Sequence, residues 1–316
     1  MGASNLLFSF FLVGGPLLSL SSSNWALCWA GMEVGFLGLL PLLFLGGAST
    51  SKESALKYFV IQALASALLF LTGAMVFFFQ EESVWYVLGF LAAIVLKLGV
   101  FPGHFWVTSV VFGLEWVSCC LILGPLKLPP LGFLSVFGEQ QGLWQTGLLI
   151  LAGVSAIVGA MLGNNQTNVR AMIGASSITH TSWLVLGAVV GGLWVYLGLY
   201  LVILFLALLF MWEGDDLGGA LTVLSMSGLP PFIMFVAKFT VVSNLLFQPS
   251  LILYIVLPLA SAVLSLVFYL KFSYSFYLKV KNVPAKSSLF LLTVLNLTGV
   301  VWLIIFFGGR DKAVDF

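Results

Sequence analysis

The sequence predicts an all-α, polytopic membrane protein of about eleven transmembrane helices. Three observations carry that prediction. Of the 316 residues, 61% are hydrophobic and only 7% are charged, where a soluble domain carries about a quarter charged residues. Apolar runs of about 20 residues, the length that crosses a bilayer, recur along the whole chain. The segments between them are short polar clusters, so no room remains for a soluble domain, and residues 1–316 read as one membrane domain.

The first helix, near 4–20, lacks a basic n-region and an A-x-A site, so it reads as a membrane span and not a cleaved signal. An Arg-rich presequence is missing too, and a chain this apolar is then expected to be inserted where it is made, in an organelle or a bacterium. Ser21-Ser22-Ser23-Asn24 introduces the second helix, near 25–46, and Ser49-Thr50-Ser51-Lys52-Glu53 the third, near 56–79. Gln80-Glu81-Glu82 precedes the fourth, near 84–106, which Gly99-Val100-Phe101-Pro102-Gly103 interrupts. The fifth, near 114–137, contains Pro125, Pro129 and Pro130; the sixth runs near 142–163. Asn164-Asn165-Gln166-Thr167-Asn168 opens the seventh, near 169–189, and the eighth follows near 191–212. After Glu213-Gly214-Asp215-Asp216 comes the ninth, near 219–246, broken by Gly228-Leu229-Pro230-Pro231. The tenth, near 250–271, leads through a basic stretch at 271–286 to the eleventh, near 287–308.

Several function classes fall away. A net charge of +1 excludes an ordinary basic nucleic-acid binder. Cys28, Cys119 and Cys120 are odd in number, sit in apolar runs and form no C-x-x-C, so they predict small apolar helix residues and not a disulfide framework or zinc site. No G-x-G-x-x-G, P-loop or cysteine cluster offers a nucleotide, flavin or iron–sulfur module.

Orientation follows from the basic loop residues. Lys52, Lys57, Arg170, Lys271, Lys279, Lys281 and Lys286 fall on the side of the N-terminus; only Arg310 and Lys312 fall opposite. The N-terminus is therefore expected on the cytoplasmic or matrix side and the C-terminus across the membrane. The two breaks lie in helices four and nine, five helices apart and hence running in opposite directions. That predicts two inverted five-helix repeats, near 4–137 and 142–271, plus the last helix. Helices two and seven then correspond, with Glu33 and His180 as their ionisable groups.

An ionisable side chain at the bilayer centre costs about 2.5–3.5 kcal/mol on insertion scales, so such groups are functional candidates by default. Four stand out: Glu33 in helix two, Lys97 at the first break, Lys127 between the prolines of helix five, and Lys238 after the second break. For Glu33 the bland alternative is a structural acceptor; for Lys97 and Lys238 it is snorkelling to the interface. The prolines beside Lys127 free carbonyls that could hold water near its ammonium. A desolvated lysine releases its proton readily and a nearby carboxylate retains it, so one glutamate and three lysines suit a proton file. His104, beside Phe105 and Trp106, is a relay or an interface anchor. His180, among Ser176, Ser177, Thr179 and Thr181, is a structural histidine or a water-chain member. Lys57 with Tyr58 and Gln62 reads as an interfacial anchor, as do Arg170 and Glu115. The 271–286 stretch suits anionic lipid, cardiolipin included, or a partner subunit.

Five motifs in order resemble one family. They are Trp29-Ala30-Gly31-Met32-Glu33; Lys57-Tyr58-Phe59 with Gln62; Lys97-Leu98-Gly99 with Pro102-Gly103-His104-Phe105-Trp106-Val107; Asn165-Gln166-Thr167 and Arg170 with Ser176-Ser177-Ile178-Thr179-His180; and Gly228-Leu229-Pro230-Pro231 with Lys238. This pattern is similar to the subunit 2 family of mitochondrial NADH:ubiquinone oxidoreductase (respiratory complex I), whose relatives are the cation/proton antiporter subunits. The resemblance implies proton translocation across the mitochondrial inner membrane. Glu33 would pair with Lys97, Lys127 would be the central lysine and Lys238 the exit lysine. It also implies that NADH, FMN, iron–sulfur clusters and ubiquinone are bound by other subunits, with no cofactor on this chain. The partners implied are the small membrane subunits near the quinone site and the neighbouring antiporter-like subunit. The chain departs from the family pattern at Gly103, where phenylalanine is usual, and at Thr108-Ser109, where Pro-Glu is usual. A stand-alone cation/proton antiporter would share the inverted repeat and buried lysines but not the partners. A membrane scaffold would tolerate loss of the ionisable groups.

Overall fold

A computed structural model of the chain describes residues 3–80, 83–138, 143–230, 232–280, 292–294 and 296–301, and all regular structure among them is helical. In order the helices are α1 (Ala3–Ser21), α2 (Trp25–Phe44), α3 (Ser49–Phe77), α4 (Val84–Leu98), α5 (Phe105–Gly113), α6 (Trp116–Leu123), α7 (Leu128–Gly138), α8 (Leu143–Asn164), α9 (Val169–Val190), α10 (Leu193–Glu213), α11 (Asp216–Ser227), α12 (Ile233–Leu246) and α13 (Val256–Tyr277). Short 3₁₀ turns at Pro125–Lys127 and Pro249–Ile255 lead into α7 and α13. Residues 292–294 and 296–301 are also helical; the rest of the eleventh predicted span lies outside the described residues, as do Glu81, Glu82, Pro231, Lys281, Lys286, Arg310 and Lys312.

Seven helical stretches among the described residues are long and apolar enough to cross a membrane, and four shorter apolar helices accompany them. Each predicted span meets one of these eleven, with shifted limits. The third starts at Ser49, seven residues earlier than expected, because Lys52 and Glu53 lie on its exposed first turns. The fourth runs past its break as α5 to Gly113. Helix starts are capped where the sequence supplies a cap: the Asn24 side chain accepts from Ala26 N at 3.0 Å, and Asp215 Oδ1 accepts from Leu217 N and Gly218 N at 3.2 Å.

Small residues set the closest approach. Gly31 and Gly35 on α2 meet Gly15 on α1 backbone to backbone: a Cβ on Gly31 would lie 2.6 Å from Ser19 N and 2.8 Å from Gly15 O. In lipid this Gly-x-x-x-Gly contact lets dispersion act over the full helix length. It also fixes α2, which carries Glu33.

The centre of the molecule is α9. Every residue from Ala171 to Val190 is buried, and α5, α7, α8, α10, α12 and α13 pack around it. Four of its hydroxyls are satisfied within the helix: Ser177 donates to Gly174 O, Thr179 to Ser176 O, Thr181 to Ser177 O and Ser182 to Thr179 O. A helix rich in serine and threonine can thus be wholly enclosed without orphaned polar groups, while large apolar residues such as Leu71, Trp85, Val263 and Val267 face outward.

Candidate functional site

At the first break α4 ends on Gly99, whose backbone is left-handed at φ 70°. That conformation suits glycine and lets the chain turn out of the helix. A helix end inside a membrane leaves carbonyls without partners, and each must be met locally. Gly99 N and Val100 N both donate to Val95 O, at 3.0 and 3.2 Å. The Trp106 indole reaches back from α5 to donate to Leu96 O at 2.9 Å, and the Gln62 amide of α3 donates to Lys97 O at 3.3 Å. The break is therefore stitched by two side chains.

Lys97 occupies the last turn of α4, where its charge also faces the negative end of the helix dipole. Its Nζ lies 3.1 Å from Glu33 Oε1, and the two side chains are 6% and 19% exposed. Lys97 does not snorkel: its ammonium is held by a carboxylate from α2.

Tyr58 and Gln62 are not the interfacial anchors the sequence predicts. They are buried, and Tyr58 lies within electrostatic reach of Glu33. The buried face of α3 runs Ser51, Ser54, Ala55, Tyr58, Gln62, Ala65, Ser66, Leu69, Gly73, a helical stripe of mostly small and polar residues. Lys57, one position away from Tyr58, is exposed and pairs with Glu53 at 2.7 Å. Arg170 sits with its guanidinium 4.8 Å from the centroid of the Trp116 ring.

Lys97 and Lys127 line one small cavity, of about 30 Å³, together with Tyr58, Gln62 and Trp106. Lys127 ends the 3₁₀ turn that follows Pro125 and is 6% exposed. Its Nζ does not use the carbonyls freed by the neighbouring prolines. It donates to Thr181 Oγ1 at 2.7 Å and to Ser177 O at 3.5 Å, both on α9, and lies 5.8 Å from the Tyr200 ring centroid.

One position before Thr181, His180 is 1% exposed. Its Nδ1 is 2.9 Å from the Tyr196 hydroxyl of α10, and its Nε2 is 3.1 Å from the Tyr269 hydroxyl of α13. Tyr269 continues to Ser176 Oγ at 2.6 Å. Both ring nitrogens are hydrogen-bonded, and His180 lies within electrostatic reach of both Lys127 and Lys238.

At the second break α11 ends on Gly228, left-handed at φ 74°. Lys238, 9% exposed, reaches back from α12 and donates to Ser227 O at 2.7 Å, with its Nζ 5.8 Å from the Trp183 ring centroid. Here too an ammonium meets the carbonyl end of a broken helix. A Cβ at Gly228 would lie 2.8 Å from Lys238 Cδ, so a side chain there would push that lysine from its place.

The structure thus brings Glu33 to Lys97, opens Lys97 toward Lys127, and places Lys127, His180 and Lys238 around α9. His104 stands apart from them in the first break, its ring 5.8 Å from that of Phe101, with Nδ1 buried and lacking a side-chain partner. Tyr196, Tyr200, Tyr269 and Trp183 carry no mark in the sequence, because a lone aromatic in an apolar run reads as core. Cys28, Cys119 and Cys120 are free thiols. Among the described residues no group of three or more His, Cys, Asp and Glu could hold a metal.

Against known proteins, residues 22–214 match the family described as NADH:quinone oxidoreductase/Mrp antiporter, TM. NADH-ubiquinone oxidoreductase chain 2 of Albinaria caerulea is 34% identical over 282 residues, covering 89% of this chain and 92% of that protein. The chain 2 protein of Branchiostoma floridae is 34% identical over 295 residues, covering 85% and 84%. Among solved structures, a chain of respiratory complex I from Thermus thermophilus superimposes with a TM-score of 0.82 at 20% identity, over 96% of this chain and 79% of that one. A chain of the Mrp complex from Dietzia sp. DQ12-45-1b gives 0.75 at 15% identity, over 84% and 59%.

Proposed function

The chain belongs to the NADH:quinone oxidoreductase/Mrp antiporter family of membrane subunits, in its NADH-ubiquinone oxidoreductase chain 2 group, and from that premise we propose how it works. It is an antiporter-like, multi-pass subunit of the membrane arm of complex I, in the mitochondrial inner membrane, with its N-terminus on the matrix side. It moves protons across that membrane through a file of Glu33, Lys97, Lys127 and Lys238. His104 and His180 lie on a secondary proton path, His180 within electrostatic reach of the last two lysines. The energy comes from quinone reduction in other subunits; this chain has no redox centre, and NADH, FMN, iron–sulfur clusters and ubiquinone bind elsewhere in the complex. Its neighbours are the small membrane subunits near the quinone site and the next antiporter-like subunit, with anionic lipid, cardiolipin included, at the basic 271–286 stretch. The helices form two inverted five-helix repeats, each with a helix broken at a left-handed glycine.

The observation that carries this reading is the Glu33–Lys97 ion pair at a helix break, open through one cavity to Lys127. A charge at Lys127 repels the Lys97 ammonium and drives it onto Glu33; a neutral Lys127 can receive its proton. Because the dielectric inside is low, such shifts act over several ångströms without large backbone motion. Around Lys127, Thr181 Oγ1 and Ser177 O solvate the ammonium, with no carboxylate paired to it among the described residues, so its charge remains available to the next lysine.

The test is Lys127→Met in the intact complex. Proton pumping and quinone-coupled turnover are expected to fall at least tenfold, while NADH oxidation by an artificial electron acceptor stays at the parental rate. Unchanged pumping with normal assembly would return the chain to a scaffold role. Recovery of the chain alone or as a homo-oligomer from mild detergent would favour a stand-alone antiporter.

A further inference from the structure

We propose that Tyr58 and Gln62 of α3 are positioning residues that hold the water through which a proton passes between Lys97 and Lys127. This rests on the lysine-file reading and adds to it a component that comes from a helix with no site lysine of its own.

The cavity between the two lysines has a volume of about 30 Å³ for water centres. A water needs roughly 10–15 Å³ of such volume and two to four polar partners, so the space suits about two. Both lysines line it, and the polar side chains of its wall besides them and the Trp106 indole are Tyr58 and Gln62. The indole is committed to Leu96 O. Gln62 Nε2 is committed to Lys97 O, which fixes the amide and leaves Oε1 as an acceptor. The Tyr58 ring is held by Phe36 and Trp106, at centroid distances of 6.0 and 5.6 Å. Its hydroxyl both donates and accepts, as a water relay requires. The rest of the lining is apolar, Met32, Ile122, Leu126 and three prolines among it, so Tyr58, Gln62 and the lysines are the groups there with polar capacity for a water. Both α3 side chains are located by contacts that bridge the first break, and their spacing of four puts them on one face. A buried glutamine and tyrosine in a membrane interior are costly unless hydrogen-bonded, and this arrangement gives their remaining capacity a use.

The transfer is balanced. The Lys97 ammonium gives a proton to the first water, which passes one of its own to the second, which protonates neutral Nζ of Lys127. Lys97 ends neutral and Lys127 charged; the waters, Tyr58 and Gln62 are restored.

The experiment uses complex I carrying Tyr58→Phe or Gln62→Leu, reconstituted in vesicles, with NADH-driven proton transport measured in H₂O and D₂O. Tyr58→Phe keeps the packed ring and removes only the hydroxyl, so it remains informative if Gln62→Leu fails to assemble. We expect transport to slow roughly fivefold, the factor for one lost hydrogen bond, with an increased solvent isotope effect and unchanged NADH oxidation by an artificial acceptor. Parental rate and isotope effect in Tyr58→Phe, or a high-resolution map of the complex with no ordered water at Tyr58 Oη and Gln62 Oε1, would overturn the proposal. Lys97→Met and Lys127→Met run alongside: if they too transport normally, the file itself fails; if they lose transport while the α3 variants keep it, only the role of α3 fails.

Discussion

Glu33 and Lys97 each solve the other's problem. Either charge alone would be buried without compensation, and removing one member of a buried pair costs about 3–5 kcal/mol. Glu33→Gln is therefore expected to lower the thermal stability of the assembled complex, or its yield, by that order. Adding Lys97→Met should recover much of the loss, because the stranded ammonium goes with it. A double variant as unstable as the single one would show that the pair contributes nothing structural. The cost of an ionisable group in lipid is a property of the residue and its apolar neighbours, so Glu33, Lys97, Lys127 and Lys238 could be found in the sequence. Their partners could not. Thr181, Ser177 and Ser227 O are supplied by other helices or by the far side of a break, and no spacing encodes that.

Broken helices are the elements that make these partners available. Gly99 and Gly228 each end a helix in the left-handed region, with φ 70° and 74°, and a lysine lies close to each. Alanine in that conformation costs about 1–2 kcal/mol. At Gly228 the added Cβ would also crowd Lys238 Cδ. Gly228→Ala is thus expected to destabilise by about that amount, and also to displace Lys238 from Ser227 O and reduce proton transport severalfold. At Gly99 the added Cβ would run into Val107 and crowd Trp106 but no site lysine, so Gly99→Ala should cost more stability than Gly228→Ala while displacing Lys97 less directly. Equal transport losses in the two would contradict the separate role of Gly228. Glycine and proline punctuation announced both breaks. The stitching of the first by Trp106 and Gln62 was hidden, since an aromatic and an amide near a helix end read equally well as interface anchors.

At the scale of the whole molecule, burial does not sort apolar from polar as it does in a soluble protein. Lipid solvates large apolar side chains as well as the interior does, so they lie on both the outer face and in the core, while the few ionisable groups and many serines and threonines are kept inside. The enclosed α9 shows this, with all its hydroxyls but that of Ser176 bonded within the helix and a histidine fixed by tyrosines from two neighbours. Orientation is a property at the same scale. The proposed orientation, N-terminus toward the matrix, predicts that a thiol placed at exposed Lys52 reacts with a membrane-impermeant reagent only from the matrix face, and one at Ser250 only from the opposite face. Labelling of Lys52→Cys and Ser250→Cys in intact mitoplasts and inverted vesicles, measured against the parent chain, reads this directly. The reverse pattern would invert the topology.

The sequence by itself determined the solvent, the number and order of the apolar segments, the two breaks and the four expensive ionisable groups. Each of these is set by composition or by chemistry within a few residues. Only the tertiary structure decided that α9 is the hub, that Tyr58 and Gln62 turn inward while Lys57 stays outside, and that Tyr196 and Tyr269 clamp His180. Those outcomes depend on which small-residue faces of helices distant in sequence meet. In lipid, where apolar burial no longer separates inside from outside, helical periodicity alone cannot identify the inward face.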